Sequence, residues 1–243
     1  MSRVALVTGA AKRIGAACVR CLHAAGFNVV LHYHSADREA SLLSDELNAL
    51  RPGSLYPIKA NLLQMDQVQH LAVKAQDVWG GVDVLVNNAS SFFPGGIGQV
   101  DERDWDSLIG SNLKAPFFLS QALAPSLSER RGCIVNIVDI HAETGLPHYP
   151  VYSISKAGLV AMTRCLAKEM APDVRVNAVA PGAILWPEQA AGAEGQLEIL
   201  KKVALQRCGD ADDIAKAVRF LVEDADYITG QVITVDGGRT LFR

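Results

Sequence analysis

The sequence lacks the features that would place the protein in a membrane, outside the cell or on nucleic acid. No segment reaches the roughly 18 apolar residues of a membrane span. The apolar run after Arg3 is too short for a signal peptide and ends at Gly9. Lysine and arginine are not clustered, and the net charge is −3. We therefore expect a cytoplasmic protein with a small-molecule partner and no membrane or nucleic-acid contact.

Cysteine is scarce, and its pattern does not complete any site. The chain has five cysteines, an odd number that indicates free thiols in a reducing compartment. Cys18 and Cys21 form a C-x-x-C pair, but no second C-x-x-C or histidine pair accompanies it. We expect both cysteines to pack as small apolar side chains in a helix, and no metal is predicted.

What the sequence does have is a regular alternation of short apolar runs and helical patterns. This alternation predicts a parallel sheet covered by helices on both faces. With 49% hydrophobic residues and no linker or repeat, residues 1–243 are expected to form a single doubly wound α/β domain. Strands are predicted over 3–8, 28–33, 54–60, 82–89, 133–138, 174–180 and 231–238. Helices are predicted over 14–26, 36–50, 65–80, within 102–127 with a perturbation at Pro116, and over 151–171, 196–204 and 211–223.

The first predicted strand runs into a glycine-rich turn, "TGAAKRIG", which opens a helix. Glycines at 9 and 15 allow a tight turn and a close approach of the backbone to a ligand. Free N–H groups and the positive helix end can bind a pyrophosphate there. The spacing is not G-x-G-x-x-G, because Arg13 stands where a second glycine is expected. The turn favours dinucleotide binding, with an ordinary strand-to-helix turn as the alternative.

The end of the second predicted strand bears on the choice of dinucleotide. An NAD site has an acid there, about 20 residues past the glycines. This strand is followed by His34 and Ser35, and Lys12 and Arg13 lie in the glycine turn. Cations and hydroxyl groups favour a 2′-phosphate and therefore NADPH. Asp37 is expected to cap or charge the first turn of the next helix.

A Tyr-x-x-x-Lys pair, Tyr152 and Lys156, begins the long helix predicted over 151–171. Residues four apart lie on the same helix face. The lysine charge is expected to favour the phenolate and to lower the pKa of the tyrosine. Tyr152 is therefore a candidate proton donor, and Lys156 could also hold a ribose hydroxyl. The alternative is an ordinary surface pair on a helix.

Taken in order, these segments resemble the short-chain dehydrogenase/reductase family over nearly the full length of the chain. The matching pieces are "TGAAKRIG", "NNAS" (87–90), Asn112 in "GSNL", the strand ending at Asp139, "YSISK" (152–156), "PG" (181–182) and "ITGQVITVDGG" (228–238). The resemblance implies a Rossmann sheet of seven strands, a nicotinamide cofactor, hydride transfer and usually a homotetramer.

Asp139, thirteen residues before Tyr152, departs from the general family pattern. The family usually has serine there, which donates a hydrogen bond to a substrate carbonyl. An ionised carboxylate only accepts hydrogen bonds, so it would repel a carbonyl oxygen. Either Asp139 is protonated, or the substrate presents N–H groups, as a pterin does beside its reducible C=N bonds. An Asp–Tyr–Lys relay could then supply the proton that the ring nitrogen gains.

"GAAKRIG", "LHYHS", "NNASSFFP" and "VDI…YSISK" resemble one branch in particular, the pteridine reductases. The branch members, and similar bacterial dihydromonapterin and dihydrofolate reductases, use NADPH to reduce pterins or folates. The resemblance implies that Phe92 stacks on the pterin opposite the nicotinamide. It also implies that Arg13 contacts both cofactor and substrate. The branch's parasite members have an arginine between the residues matching His34 and Ser35, which this chain lacks.

The resemblance implies the following site residues. The catalytic residues are Asn112, Asp139, Tyr152 and Lys156. The cofactor is expected to contact Gly9, Arg13, Ile14, Gly15, His34, Ser35, Asn61, Leu62, Asn88, Ala89, Ser90, Tyr152, Lys156, Pro181, Gly182 and Ile184. The substrate, a 7,8-dihydropterin or dihydrofolate that is reduced to the tetrahydro form, is expected to contact Arg13, Ser90, Phe92, Asp139, Tyr152, Leu185 and Trp186.

Several alternatives stay open. The protein could reduce a ketone or a 3-oxoacyl thioester, or it could bind a dinucleotide without catalysis. Asp139 could be a strand-end cap, and Phe92 could be an ordinary core residue. Asn112 could form a helix cap or kink contact rather than a water-holding link to the lysine. Leu185 and Trp186 could simply pack within their loop.

Overall fold

Seven short strands form one parallel sheet, and the predicted doubly wound α/β fold is confirmed. The computed structural model describes residues 2–184, 198 and 200–241. The strand order is β3-β2-β1-β4-β5-β6-β7. The strands are β1 (Val4–Val7), β2 (Asn28–Tyr33), β3 (Leu55–Lys59), β4 (Val84–Asn87), β5 (Cys133–Ile137), β6 (Arg175–Pro181) and β7 (Val232–Val235).

The strands are shorter than several of the predicted apolar runs, because the polar ends of those runs leave the ladder. They are separated along the chain by helices that cover both faces of the sheet. The helices are α1 (Arg13–Ala24), α2 (Asp37–Leu50), α3 (Met65–Trp79), α4 (Glu102–Ile109), α5 (Ala115–Glu129), α6 (Pro150–Glu169) and α7 (Ala211–Glu223). Of the helix predicted over 196–204, residues 198 and 200 are helical, 201, 202 and 204 form turns, and 196, 197 and 199 lie outside the described residues.

Each strand supplies side chains to two cores, because alternate residues point to opposite faces. Ala5 and Val7 of β1 pack in the core that holds α1, α2 and α7. Val4 and Leu6 pack in the core that holds α3 and α5. Burial on both faces explains why the strands read as continuous apolar runs rather than as alternating ones.

The sheet reverses its order between β1 and β4. β1 pairs with β2 on one side and with β4 on the other, and the crossovers then proceed outwards in both directions. In such sheets a crevice opens at the carboxyl ends of the two central strands, and ligands bind there. The residues that follow β1 and β4 therefore lie at the expected position of a site.

The predicted perturbation within 102–127 does occur, but one turn before Pro116. Residues Gly110–Lys114 form a π-helical turn between α4 and α5. Pro116 lies in the first turn of α5, where its missing N–H costs little. Single π turns inside helices often occur at functional sites. This one carries Asn112, a predicted catalytic residue.

Free thiols are found at both cysteines of the C-x-x-C pair. Cys18 is fully buried in α1, and burial raises the pKa of its thiol to about 12. Within the described residues, no group of three or more His, Cys, Asp and Glu side chains could hold a metal ion. None of the helices in the described part of the chain is both long and apolar enough to cross a membrane.

A buried polar chain fixes α6 against the centre of the sheet. The Asn87 Nδ2 donates to Asn136 Oδ1 at 2.8 Å, joining β4 to β5. The Asn136 Nδ2 then donates to Thr163 Oγ1 on α6 at 2.9 Å. Thr163 in turn donates to the carbonyl of Leu159 at 2.8 Å. Since buried polar groups are costly when unpaired, this chain specifies the position of α6 over β5.

We predict that Thr163→Val lowers the free energy of unfolding by about 1–3 kcal/mol, because it leaves the buried Asn136 amide without an acceptor. Thr163→Ser keeps the hydroxyl and should lose less. Urea denaturation of both variants measures the difference. A valine variant as stable as the wild type would contradict this role of the polar chain.

Candidate active site

The turn between β1 and α1 is built so tightly that glycine is required at both ends. Gly9 has φ +59°, and a Cβ there would lie 2.8 Å from the Cα of Ala89. A Cβ on Gly15 would lie 2.3 Å from the Gly9 carbonyl oxygen. Arg13, the first residue of α1, is exposed and has φ 51°. A bare backbone loop at a helix start, with a cation on its rim, fits a dinucleotide pyrophosphate.

The end of β4 is locked to this turn through Thr8 and Asn88. The Thr8 Oγ1 accepts hydrogen bonds from the backbone N–H groups of Asn88 and Ala89, both at 3.0 Å. The Asn88 Nδ2 donates to the carbonyls of Thr8 at 2.8 Å and Gly9 at 3.0 Å. The structure therefore unites three predicted cofactor residues and adds Thr8, which the sequence analysis missed. A hydroxyl immediately before the first glycine was the available signal.

The end of β2 lies beside the turn, because β1 and β2 are paired. His34 and Ser35 follow β2 and are exposed. Asp37 lies in the first turn of α2, as predicted, and it also pairs with Lys59 at 2.9 Å. Lys12, predicted to favour a 2′-phosphate, forms an ion pair with Glu39 at 2.7 Å.

The remaining predicted cofactor residues lie at the same carboxyl edge. Asn61 and Leu62 follow β3, with the Asn61 Oδ1 accepting from the Leu63 N–H at 3.0 Å. Ile14 is half-buried in α1, and Ser90 is exposed after β4. On the other side, Pro181 ends β6, Gly182 bonds to the Val235 carbonyl at 3.0 Å, and Ile184 pairs with Gly209. Leu185 and Trp186 lie outside the described residues.

Asp139 and Tyr152 are brought into direct contact. Asp139 follows the end of β5, and Tyr152 lies in the first turn of α6. The Tyr152 Oη donates to Asp139 Oδ2 at 2.8 Å. The other carboxylate oxygen, Oδ1, accepts from the backbone N–H of His141 at 2.7 Å. Asp139 is therefore both a cap of the short 3₁₀ turn Ile140–Ala142 and a partner of the tyrosine.

Lys156 lies one helical turn after Tyr152, but it is directed at the sheet. Lys156 is 2% exposed, and its Nζ donates a hydrogen bond to the Ile137 carbonyl at 2.9 Å. Burial lowers the pKa of Lys156 to about 8, and the charge of Asp139 partly opposes that shift. A buried ammonium whose pKa lies near neutrality can respond to charge that develops beside it.

The predicted direction of the Tyr152 pKa is wrong. Burial raises the pKa of Tyr152 well above its ordinary value, and both the charge of Asp139 and its hydrogen bond with the phenol raise it further. The Lys156 Nζ is 5.8 Å from the centroid of the tyrosine ring, while the Asp139 carboxylate accepts a hydrogen bond from the phenolic hydroxyl directly. Burial and the adjacent carboxylate therefore act in the same direction, and the phenol holds its proton firmly.

Asn112 joins three parts of the site through its side chain. The amide exchanges two hydrogen bonds with the backbone of Ser91, at 2.8 Å and 3.0 Å. It also accepts from Ser111 at 2.9 Å and donates to Ser155 Oγ at 3.0 Å. This matches the kink-contact alternative. A water link to Lys156 would have to use the Asn112 backbone, because the side chain is fully engaged.

Phe92 projects from the loop after β4 over the tyrosine. Its ring is 54% exposed, so the alternative of core packing is wrong. It stacks on Tyr149 with centroids 4.6 Å apart and meets Tyr152 edge-to-face at 4.8 Å. The backbone N–H of Gly95 donates to the His148 carbonyl at 2.9 Å, which ties the two loops together. Tyr149 was missed, although an aromatic residue three positions before Tyr152 was visible in the sequence.

The chain is similar to known proteins over nearly its whole length. A family model described as enoyl-(acyl carrier protein) reductase, of the short-chain alcohol dehydrogenase type, matches residues 9–240. Pteridine reductase 1 of Leishmania tarentolae is 37% identical, covering 99% of this chain and 97% of that protein. The 3-oxoacyl-[acyl-carrier-protein] reductase of Thermotoga maritima is also 37% identical, with 97% of each protein covered. A blue fluorescent protein from a metagenomic library, solved in complex with NADPH, has a TM-score of 0.91 and 36% identity over 98% of this chain and 97% of that one.

We predict that Asp139→Asn lowers the pKa of Tyr152, because it removes both the charge and the charged acceptor that raise it. The value should stay above that of free tyrosine, since burial is the larger cause. NMR titration of ring-labelled tyrosine, with Tyr152→Phe used to assign the resonance, measures the change. Deprotonation at a higher pH in the asparagine variant than in the wild type would contradict the assigned cause.

Proposed function

Since the chain belongs to the short-chain dehydrogenase/reductase family, we propose that it is an NADPH-dependent pteridine reductase. Its substrate is a 7,8-dihydropterin or dihydrofolate, which it reduces to the tetrahydro form. The observation that carries this proposal is the 2.8 Å hydrogen bond between Tyr152 Oη and Asp139 Oδ2. A carboxylate at this position is an acceptor for N–H groups and a poor partner for a carbonyl oxygen.

Two features support NADPH as the cofactor. The tight glycine turn offers backbone N–H groups at the start of α1, which suits a pyrophosphate. No acid directly follows β2, where His34 and Ser35 stand, and Arg13 and Lys12 lie on the turn beside them. The similar metagenomic protein, solved with NADPH, supports the same assignment.

The chain's own groups can then deliver the proton that the reaction needs. When bound, NADPH supplies a hydride to the carbon of the substrate C=N bond. Tyr152 keeps its proton in the resting site because burial and Asp139 raise its pKa, so the phenol is a donor to the adjacent nitrogen. Lys156 holds a ribose hydroxyl, and its ammonium stabilises the negative charge that develops on the phenol. Asp139 accepts an N–H of the substrate and orients the ring.

The loop that carries Phe92 is suited to a flat ring. Tyr149 stacks on one face of Phe92 and Tyr152 meets the ring edge-to-face, and a pterin is proposed to stack on the other face of Phe92. The exposed Arg13 and Ser90 are proposed to contact the substrate from the cofactor side. Leu185 and Trp186 are proposed to set the preference for the pterin side chain.

A second candidate is reduction of a 3-oxoacyl thioester. It is favoured by the similarity to 3-oxoacyl-[acyl-carrier-protein] reductases, which at 36–37% identity match as well as the pteridine reductase does. Asp139 argues against it, because an ionised carboxylate beside Tyr152 would repel the oxygen that has to be protonated. A dinucleotide-binding protein without catalysis is disfavoured by the intact Asp139, Tyr152 and Lys156 arrangement.

Cytoplasmic placement is supported by the thiols. Every one of the five cysteines is free, and Cys165 is exposed on α6 without a partner sulfur. Free thiols persist in a reducing compartment. We therefore place the enzyme in the cytoplasm.

We further propose that the enzyme is a homotetramer and that the face formed by α5 and α6 supplies one of its two-fold interfaces. An apolar groove of about 710 Å³ lies between these helices and includes Phe117, Phe118 and Met162. Lys114 lies at the start of α5 and Glu169 at the end of α6, so the groove has a basic end and an acidic end. A second copy packed around a two-fold axis would place each lysine opposite the partner's glutamate.

For the reaction, we expect Asp139→Ser to reduce turnover of 7,8-dihydropterin roughly 10- to 100-fold, as expected for the loss of a charged hydrogen bond. The affinity for NADPH should be unchanged, because Asp139 is proposed to contact the substrate and not the cofactor. Stopped-flow turnover and fluorescence titration of NADPH measure the two quantities separately. Unchanged pterin turnover would show that the carboxylate is incidental.

For the assembly, we expect Lys114→Glu to lower the oligomeric mass, since it places like charges opposite each other across the groove. The double variant Lys114→Glu with Glu169→Lys should recover the wild-type mass by restoring opposite charges. Analytical ultracentrifugation measures both. Equal masses for the wild type and the single variant would count against this interface.

A further inference from the structure

One buried histidine is not used by the proposed chemistry. His32 is the fifth residue of β2, and 1% of it is exposed. It follows three apolar residues in a strand that is otherwise packed as core. A histidine in such a place needs partners for both ring nitrogens, because an unpaired buried polar atom is costly.

Both nitrogens of the ring are bonded to backbone groups, and these belong to different segments. The Nδ1 accepts from the backbone N–H of Gly9 at 3.1 Å. The Nε2 lies 3.1 Å from the Ala60 carbonyl oxygen. The backbone carbonyl of His32 also accepts from the Ala10 N–H at 2.8 Å. One residue thus connects the glycine turn after β1 with the segment that follows β3.

The two partners determine which nitrogen carries the proton. Gly9 presents an N–H, so Nδ1 must accept, and Ala60 presents a carbonyl, so Nε2 must donate. The ring is therefore neutral with its hydrogen on Nε2. Burial lowers the pKa of His32 to about 4, with the neighbouring His34 adding to the shift and the Ala60 bond opposing it. The neutral form is kept throughout the physiological range.

The two segments that His32 connects are proposed to border the adenosine part of NADPH. Gly9 begins the turn proposed to hold the pyrophosphate, and its φ of +59° defines the shape of that turn. Ala60 directly precedes Asn61, which is proposed to contact the cofactor. His32 thus engages the Gly9 and Ala10 N–H groups, and N–H groups later in the turn are the ones proposed to bind the phosphates.

We propose that His32 is a positioning residue for the cofactor, which holds the Gly9 peptide and the Ala60–Asn61 segment at a fixed separation before NADPH binds. The proposal rests on the NADPH part of the proposed function. It differs from a purely structural role in one respect. Loss of the Gly9 bond should weaken cofactor binding beyond what the loss of stability explains, because the binding turn would then have to be ordered by the ligand.

Two substitutions separate the two bonds. In His32→Asn the side-chain oxygen can stand close to the position of Nδ1 and accept from Gly9, but the side chain is too short to reach Ala60. In His32→Gln the amide nitrogen can reach Ala60, but the acceptor for Gly9 is lost. His32→Leu removes both. The dissociation constants of NADPH and of 2′,5′-ADP are measured by nicotinamide fluorescence and by calorimetry, and the melting temperature is measured without ligand.

We expect His32→Gln and His32→Leu to weaken both ligands roughly tenfold, and His32→Asn to weaken them about threefold or less, as one ordering hydrogen bond requires. At saturating NADPH, kcat should stay near the wild-type value while the KM for NADPH rises. The matched control is His23→Leu, which removes a buried histidine bonded to Ser54 Oγ at 2.7 Å at the far end of α1. It should lower the melting temperature and leave both dissociation constants unchanged.

The outcomes separate this inference from the function on which it rests. If wild-type protein binds NADPH and His32→Gln binds it equally well, the positioning role is overturned and the proposed function stands. If His32→Gln weakens binding no more than His23→Leu does, the role is also overturned. If the wild type does not bind NADPH, the proposed function fails first. Should His32→Leu not fold, the comparison of the asparagine and glutamine variants decides the matter.

Discussion

The chemistry of this molecule depends on one constraint, the fixed placement of α6 against the end of β5. Tyr152 and Lys156 lie on the helix, whereas Asp139 and the Ile137 carbonyl belong to the end of the strand. The contacts at 2.8 Å and 2.9 Å between these groups require the helix to keep its height and rotation over the sheet. The buried chain from Asn136 to α6 supplies that restraint one helical turn or more away from the reacting groups.

The placement of α6 against β5 also explains the pKa shifts of Tyr152 and Lys156. Burial works against charge on both Tyr152 and Lys156, so it raises the pKa of one and lowers that of the other. Asp139 then acts in one direction on both groups, because a negative charge favours every proton near it. For Tyr152 both effects raise the pKa and the tyrosine retains its proton, whereas for Lys156 burial outweighs Asp139 and the pKa is lowered. In the proposed reaction, this tyrosine would donate its proton to the substrate nitrogen beside the carbon that receives the hydride.

Much of the fold could be predicted from the sequence, because alternating apolar runs and helical patterns are local signals. The glycine turn and the Tyr152–Lys156 pair were visible for the same reason. The direction of the Tyr152 pKa shift was not, since it depends on how deeply the phenol is buried and on its contact with Asp139 in the folded chain. The side-chain partners of Asn112 and the two hydrogen bonds of the His32 ring could not be predicted either. They join segments far apart in the chain, and no local pattern reports such contacts.

We propose that Asp139 selects a C=N ring over a carbonyl, and the substrate specificity of the wild-type enzyme is the measurement that tests this most directly. NADPH oxidation would be followed with dihydrobiopterin, dihydromonapterin, dihydrofolate and an acetoacetyl thioester under the same conditions, with NADH as the cofactor control. We expect kcat/KM for at least one pterin or folate to exceed that for the thioester by about tenfold or more, the effect of one well-placed hydrogen bond. Turnover of the thioester alone would contradict it.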